Sequence, residues 1–402
     1  MADDTSELAT TNQAVAPGLT RIWPLLAAAF AQACCVAILA TALPFFAQDL
    51  GGKGLMVGLI GAAGTGAYAL GCALMRPVAD RLSPRPIATA GVLIEIIVMV
   101  AMAHIRSLTQ VLVLFAAQGL AMSLFWPLVM GWICSGAEGQ TLNRRLARFN
   151  LTWCTALMVG PFIGGALFEL GQQLPFYAAA ACLVLTVGLL AMASAPVTAR
   201  RSTAESKPRP PDETAADSSV FRYTAWVSLF FAYMILGMCR FQLPILARVL
   251  HIREAVFGIV MGVLSLAMTV SFVMLGRTDR WHYRRGFHVA AQLLMAATVI
   301  ALCWTNSATF MTVVVTVAGL CIGLSYTSSI YYSASRAGGR LASRLAVHEM
   351  TLASGVVCGS FLGGLLTQSV HLRAAYPACA ALVLIGLLIQ LLITQRAKNA
   401  AA

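Results

Sequence analysis

Two ionisable side chains stand inside long apolar stretches: Glu95, within GVLIEIIVMV, and Arg240, within GMCRFQLP. A charge at hydrocarbon depth is costly enough that function is the first reading of it. A carboxyl group at Glu95 can exchange a proton, or it can bond a neighbouring helix. The guanidinium of Arg240 offers a planar fork of donors to an anionic group; alternatively it forms a fixed pair with an acid or with backbone carbonyls. His348 and Glu349 make a third case. Glu349 is expected at a helix start, where the macrodipole favours an acid, and a His-Glu proton relay is the sharper alternative. Polar and aromatic positions add candidate contacts for a small organic solute: Gln32, Tyr68, Gln118, Trp126, Asn150 and Trp153 in the first half, and Gln242, Tyr326, Tyr331 and Met350 in the second. Each of these alone fits packing, because aromatic residues also fill bundle cores and interfaces. Glu169 reads as an interfacial residue.

The elements that must position these groups follow from composition. The 402 residues are 59% hydrophobic and 10% charged, too apolar for a charged, water-facing surface. Apolar stretches of about 20 residues, the length that crosses a bilayer, recur along the chain. Backbone groups in hydrocarbon must be paired within the segment, so these runs are expected to be helices. The formal charge of +12 does not point to nucleic acid, because the basic residues fall in short loops between apolar spans. Of the 11 cysteines, most sit within those spans and read as small packing residues. Neither CxxC nor Cys/His ligand spacing occurs, so no metal or other cofactor is expected. Asp3, Asp4 and Glu7 precede the first basic residue, unlike a secretory signal peptide, and the first span is expected to be retained.

Charge clusters and Pro/Gly breaks place helices at 21–47, 55–79, 86–105, 109–135, 147–170 and 174–196, then at 221–247, 254–276, 286–304, 308–334, 346–370 and 374–395. The fold class is therefore an all-α polytopic membrane protein, with twelve transmembrane helices in two six-helix pseudo-symmetric bundles. Residues 1–20 form an N-terminal tail, 21–196 the first bundle, 197–219 a Pro- and charge-rich linker, 220–395 the second bundle and 396–402 a tail. Of the 27 Lys and Arg residues, 21 fall on the side that carries the termini and linker and 5 on the other, with Arg240 inside a span. By the positive-inside rule both termini are cytoplasmic.

At a shift of 199 residues Asp80 falls on Asp279, Arg81 on Arg280, Arg85 on Arg284 and Arg145 on Arg344. The same shift lays GPFIGGAL, from Gly160, Pro161, Gly164 and Gly165, on GSFLGGLL, with Gly359, Gly363 and Gly364. Two parallel six-helix repeats can rock about a site between them.

These features resemble the major facilitator superfamily. That family's loop after its second helix reads Gly-x-Leu-x-Asp-Arg-x-Gly-Arg-Arg; here it reads Arg76-Pro-Val-Ala-Asp80-Arg81-Leu-Ser83-Pro84-Arg85. The Asp-Arg and final Arg are kept, and both glycines and one Arg are not. The resemblance implies conformational gating by Asp80, Arg81 and Arg85, and by Asp279, Arg280 and Arg284. The Gly160–Gly165 stretch is similar to the end of the family's antiporter motif, and equally fits close helix packing. Gln118-Gly119 is similar to the end of Arg-x-x-Gln-Gly, with Phe115 in the Arg place.

The function implied is secondary active transport of a small organic solute by alternating access: a monomer in a bacterial inner membrane, driven by protons or another ion. Proton antiport for export is the first form and uptake by symport the second. No GxxxxGK[ST] loop for ATP hydrolysis occurs, and no enzymatic activity is expected. A transport-inactive sensor or membrane enzyme on the same fold is the competing class; a sensor would carry a sizeable soluble domain, and an enzyme a polar dyad, for which only His348-Glu349 offers itself.

Overall fold

The structure, a computed structural model, describes residues 22–75, 83–135, 137, 139–194, 214–278, 280–334 and 341–401. The first half holds α1 (Trp23–Asp49), α2 (Gly54–Met75), α3 (Pro84–Met102), α4 (Leu108–Met122), α5 (Trp126–Cys134), α6 (Gly139–Leu170) and α7 (Leu174–Met192). The second holds α8 (Thr214–Phe241), α9 (Leu243–Val249), α10 (Glu254–Gly276), α11 (Arg285–Ala301) with a closing 3-10 turn, α12 (Ala308–Ala334), α13 (Leu341–Ser369) and α14 (Ala375–Ala401). Among the described residues twelve spans are long and apolar enough to cross a membrane, with α4 and α5 making one and α8 and α9 another. The innermost are α1 and α8–α9, whose apolar windows are 72% and 83% buried against 33% for α14. On α3, α7 and α14 the side chains of Ile97, Leu185 and Leu388 are exposed, as lipid contact requires.

Several expected boundaries shift. The fourth span breaks at residues 123–125, because Pro127 in the first turn of α5 supplies no N–H and Ser123 turns its hydroxyl back to the Leu120 carbonyl at 2.6 Å. The seventh breaks at Gln242 ahead of Pro244 for the same reason. Helix α6 starts at Gly139 and α13 at Leu341, both earlier than the apolar runs suggest, since their polar first turns stay helical outside the hydrocarbon. Glu349 therefore lies two turns inside α13 and not at a helix start, and the macrodipole argument for it fails. Residues 214–219, expected as linker, begin α8, and α14 runs through the expected tail to Ala401.

The duplication is visible in the backbone. The α1–α2 and α9–α10 loops repeat at a shift of 200: Gly51 and His251 both have positive φ (84° and 54°), and Gly52 N and Ile252 N reach the Ala47 and Ala247 carbonyls at 2.8 and 2.9 Å. Pro44 and Pro244 match at this shift too. The shift of 199 holds further on, from the glycine motifs of α6 and α13. At one place the halves have exchanged partners: a Cβ on Gly71 of α2 would meet Ser123 at the end of α4, whereas a Cβ on Gly323 of α12 would meet Ser271 of α10.

Within bundles, α1 packs on α6 and α7, and α8 on α12, α13 and α14. Between bundles, α6 packs on α10 and α2 on α13. Small residues set these distances, because a side chain would meet backbone. Gly160 and Gly164 face Ala37 and Ile38 of α1, and Gly359 faces Met234 of α8, all within a bundle. Gly165 and Gly364 instead face the other bundle, where an added Cβ would come within 2.2 Å of the Glu254 carbonyl and 2.5 Å of the Gly54 carbonyl. Gly58 and Gly258 complete the two seams against Ser360 and Pro161.

Candidate functional site

Among the described residues Glu95 is the most enclosed acid, with no exposed surface. It lies mid-way along α3 and faces α1 and α4 through two amides. Gln32 Nε2 donates to both carboxyl oxygens at 2.8 and 2.9 Å, and Gln118 Nε2 donates to one at 3.1 Å. Gln32 and Gln118 are 0% and 3% exposed, so they belong to this buried triad and not to the central solute-facing group in which the sequence set them. Phe115, in the Arg place of the Arg-x-x-Gln-Gly pattern, packs its ring on α2, 2.3 Å from where a Gly64 Cβ would be. Gly119 makes the same approach against the Gly64 carbonyl.

A second constellation lies between the bundles. Tyr326 of α12 stands 6.0 Å, ring centre to ring centre, from Trp153 of α6 and from Tyr233 of α8, 5.1 Å from Phe272 of α10 and 5.0 Å from the His348 ring. Glu349 lies within electrostatic reach of Tyr68, Tyr233 and Tyr326. It lies deep in the fold yet keeps part of its surface accessible, and so does Arg240. Among the described residues neither forms an ion pair or a hydrogen bond. His348 Nδ1 is 2.8 Å from Ser329 Oγ, so it is bonded within its own bundle. Met350 is 48% exposed. Asn150 accepts from Trp153 Nε1 at 3.1 Å, and Trp126 packs on Phe125 and Phe149.

Other candidates lie elsewhere. Tyr331 stacks on His282 at 4.0 Å, in an aromatic group with Trp281 and Tyr332 beside the α10–α11 loop, further along α12 than Tyr326. Gln242 bridges helices, donating towards the Gly54 and Ser360 carbonyls at 3.4 and 3.5 Å. Of the gating set, Asp80, Arg81 and Asp279 lie outside the described residues. Arg85 donates to the Ala193 carbonyl and lies over the Trp132 ring, joining α3 to the end of α7. Arg280 and Arg284 are exposed.

At the end away from the chain termini the bundles are latched by polar groups. Arg248 of α9 pairs with Asp49 of α1 and with Glu254 at 3.2 Å, and Arg253 pairs with Glu169 of α6. Glu169 also accepts from Ala255 N at 2.9 Å, and on the opposite seam Gln368 of α13 accepts from Leu55 N at 3.1 Å. Shallow clefts of about 460 and 510 Å³ mark the two seams. Sequence reasoning missed Tyr233, Phe272 and this latch. The signal for Tyr233 was its spacing of seven from Arg240, two turns along one helix face; single charges at loop edges carry no mark of a partner.

Among the described residues no group of three or more His, Cys, Asp or Glu is placed to hold a metal ion, and all eleven cysteines are free.

Comparison with known proteins fits this architecture. The chain is 31% identical over 157 residues to an uncharacterized MFS-type transporter of Mycobacterium tuberculosis, found in two strains; the match spans 37% of this chain and only 36% of that protein. The nucleoside transporter NupG superposes with a TM-score of 0.70 at 14% identity, over 92% of this chain and 98% of that one. A bacterial homolog to the human lysosomal transporter Spinster, in an inward-facing and occupied conformation, superposes with a TM-score of 0.71 at 14% identity, over 94% and 96%. The two superpositions establish the fold. The model of the Major Facilitator Superfamily matches residues 25–277 and again 225–402, and with nearly the whole chain covered the protein belongs to that superfamily.

Proposed function

We propose that this protein is a proton-coupled carrier of a small organic solute, working by alternating access, with export by proton antiport as its direction. The observation that carries proton coupling is the Glu95 triad. A fully buried carboxyl group has two amide neighbours and, among the described residues, no cation. Gln32 Oε1 has no donor. Amide orientations are assigned from the hydrogen-bond network, and turning the Gln32 amide over would offer Oε1 to a carboxyl O–H. Both protonation states of Glu95 then have hydrogen-bond partners, so the site can load and release a proton without a buried polar atom left unbonded.

The solute site is the space bordered by Tyr68, Trp153, Tyr233, Arg240, Tyr326 and Glu349, because it draws on both bundles and its two charged members are unpaired. Export rests on the likeness of Gly160–Gly165 to the antiporter motif. The latch at the end away from the termini supports a cytoplasm-open form if the termini are cytoplasmic, the orientation that the Lys/Arg distribution favours by the positive-inside rule. The Spinster homolog is likewise described as inward-facing.

The test is transport in reconstituted vesicles across a panel of organic solutes, with and without an imposed pH gradient. Solute flux that depends on the gradient in the wild type and loses that dependence in Glu95→Gln, while solute exchange at equal pH survives, is the expected result. Gradient-driven flux unchanged in Glu95→Gln removes Glu95 from the coupling.

A further inference from the structure

The central space has a chemistry that narrows its solute. Glu349 is an acid deep in the protein with no partner of its own among the described residues. Tyr68 from α2 and Tyr233 and Tyr326 from the second bundle lie within its electrostatic reach, and Trp153 from α6 stands 6.0 Å from Tyr326 between ring centres. The ring separations of 5.1 to 6.0 Å about Tyr326 show the rings gathered and not scattered. A carboxylate stranded in such a place is a cost unless a cation answers it, and an aromatic face answers the same cation through its quadrupole. The chain's own cations do not fill the site. His348 is tied to Ser329, with its ring edge-on to Tyr326. Arg240 lies seven residues beyond Tyr233, about 10 Å along the helix at 1.5 Å per residue. Tyr233 is within electrostatic reach of both Arg240 and Glu349, which carry opposite charges.

We propose that the solute carries an organic ammonium group, seated on Glu349 and enclosed by Tyr68, Trp153, Tyr233 and Tyr326. The reading deepens the proposed transport function and rests on it. Arg240 sets the orientation: a solute that also bears an anion lies with that end towards Arg240, and one that is a bare cation lies wholly at the Glu349 end. Selection against neutral solutes then comes from the acid, since an uncharged group would leave Glu349 buried without a counter-charge.

The experiment is binding to the full-length protein in lipid nanodiscs, followed by tryptophan fluorescence and by calorimetry. The probes are choline, its uncharged tert-butyl isostere, and a linear trimethylammonium carboxylate with its charges about 10 Å apart, the span from Tyr233 to Arg240. Choline is expected to bind on the order of tenfold more tightly than the isostere, the scale of a desolvated cation on aromatic faces. Glu349→Gln and Tyr326→Leu are expected to erase that difference and Tyr326→Phe to keep it; the Tyr326 pair decides the matter if Glu349→Gln does not fold. The long zwitterion binding more tightly than choline, with the gain lost in Arg240→Gln, supports the orientation; choline binding at least as tightly supports the bare cation. Isostere and choline binding alike in the wild type overturns the ammonium site. Flux through the same protein is measured separately: ammonium binding with no flux of any solute sinks the transport reading and leaves the site, and flux of a neutral solute without ammonium binding does the reverse.

Discussion

Glu169 and Gln368 occupy the same position in the two repeats and perform the same act on opposite sides of the molecule. Each closes a seam between bundles by accepting a backbone N–H from the first turn of the facing helix, Ala255 at 2.9 Å for one and Leu55 at 3.1 Å for the other. Only Glu169 adds a charge, paired with Arg253. The two seams are alike in geometry and unlike in electrostatics.

Replacing Glu169 with Gln should make the charged seam a copy of its neutral twin. Arg253 is 74% exposed, so the pair is screened and contributes at most about 1 kcal/mol. Hydrogen exchange at residues 252–258 is expected to rise several-fold while residues 52–58 are unaffected. High salt should produce the same one-sided change in the wild type. Equal changes on both sides would mean that the ion pair does not act locally.

The seam glycines set the second prediction. With 2.2 and 2.5 Å to the facing carbonyls at a Cβ, neither Gly165 nor Gly364 can accept a larger residue while its seam is shut. Gly165→Leu and Gly364→Leu should hold the end away from the termini open, because overpacking against backbone costs 1–3 kcal/mol or so. Spin labels placed across that end should report longer distances in both variants. Gly188→Leu is the control, since nothing lies within 4 Å of its added Cβ.

Proton coupling can be separated from helix bracing at Glu95 through its partners. Gln118→Leu removes one donor from the carboxyl group and leaves Gln32 in place. If the triad carries the proton, the pH at which gradient-driven flux is half-maximal moves, while the thermal midpoint falls only by the loss of one hydrogen bond to a charged group, about 2 kcal/mol. A midpoint that falls with no change in the pH profile would assign the triad to structure alone.

Arg145 offers a stability test away from any site. It is 5% exposed and donates to the carbonyls of Ile133 and Ser135, both at 2.9 Å, so it caps the C-terminal end of α5, where helical carbonyls lack partners. Arg145→Leu should cost about 2 kcal/mol and lower the unfolding midpoint in detergent. Lys, with a single point of charge, should restore only part of it.

The spans, the two bundles and the membrane setting were legible because they rest on long-range averages: apolar run length, loop charge and a repeat of about half the chain. The isolated ionisable groups, Glu95 and Arg240, were legible for the same reason, as single exceptions to an apolar background. Their surroundings were not. Gln32 and Gln118 looked like solute contacts because a sequence marks a polar residue on a span without marking the way it turns, and Glu95 lies 63 and 23 positions from them. Tyr233 stands in an unbroken apolar stretch, and only the fold brings it within reach of both Glu349 and Arg240. Glu349 reads as a helix start because the polar turn before it, Leu341 onward, has the composition of a loop.

The exchanged partners at Gly71 with Ser123 and at Ser271 with Gly323 say something about what the duplication has preserved. Each crossing has one residue with a side chain and one without, on opposite members of the pair in the two halves. Neither serine nor glycine is therefore demanded by its own helix; the quantity carried through divergence is a gap wide enough for one hydroxymethyl group. Gly71→Ser alone would crowd that gap and Ser123→Gly alone would leave a hole, but the two together rebuild in the first half the arrangement already present in the second. The spacing between neighbouring helices is the heritable trait here, and residue identity is free to move across it.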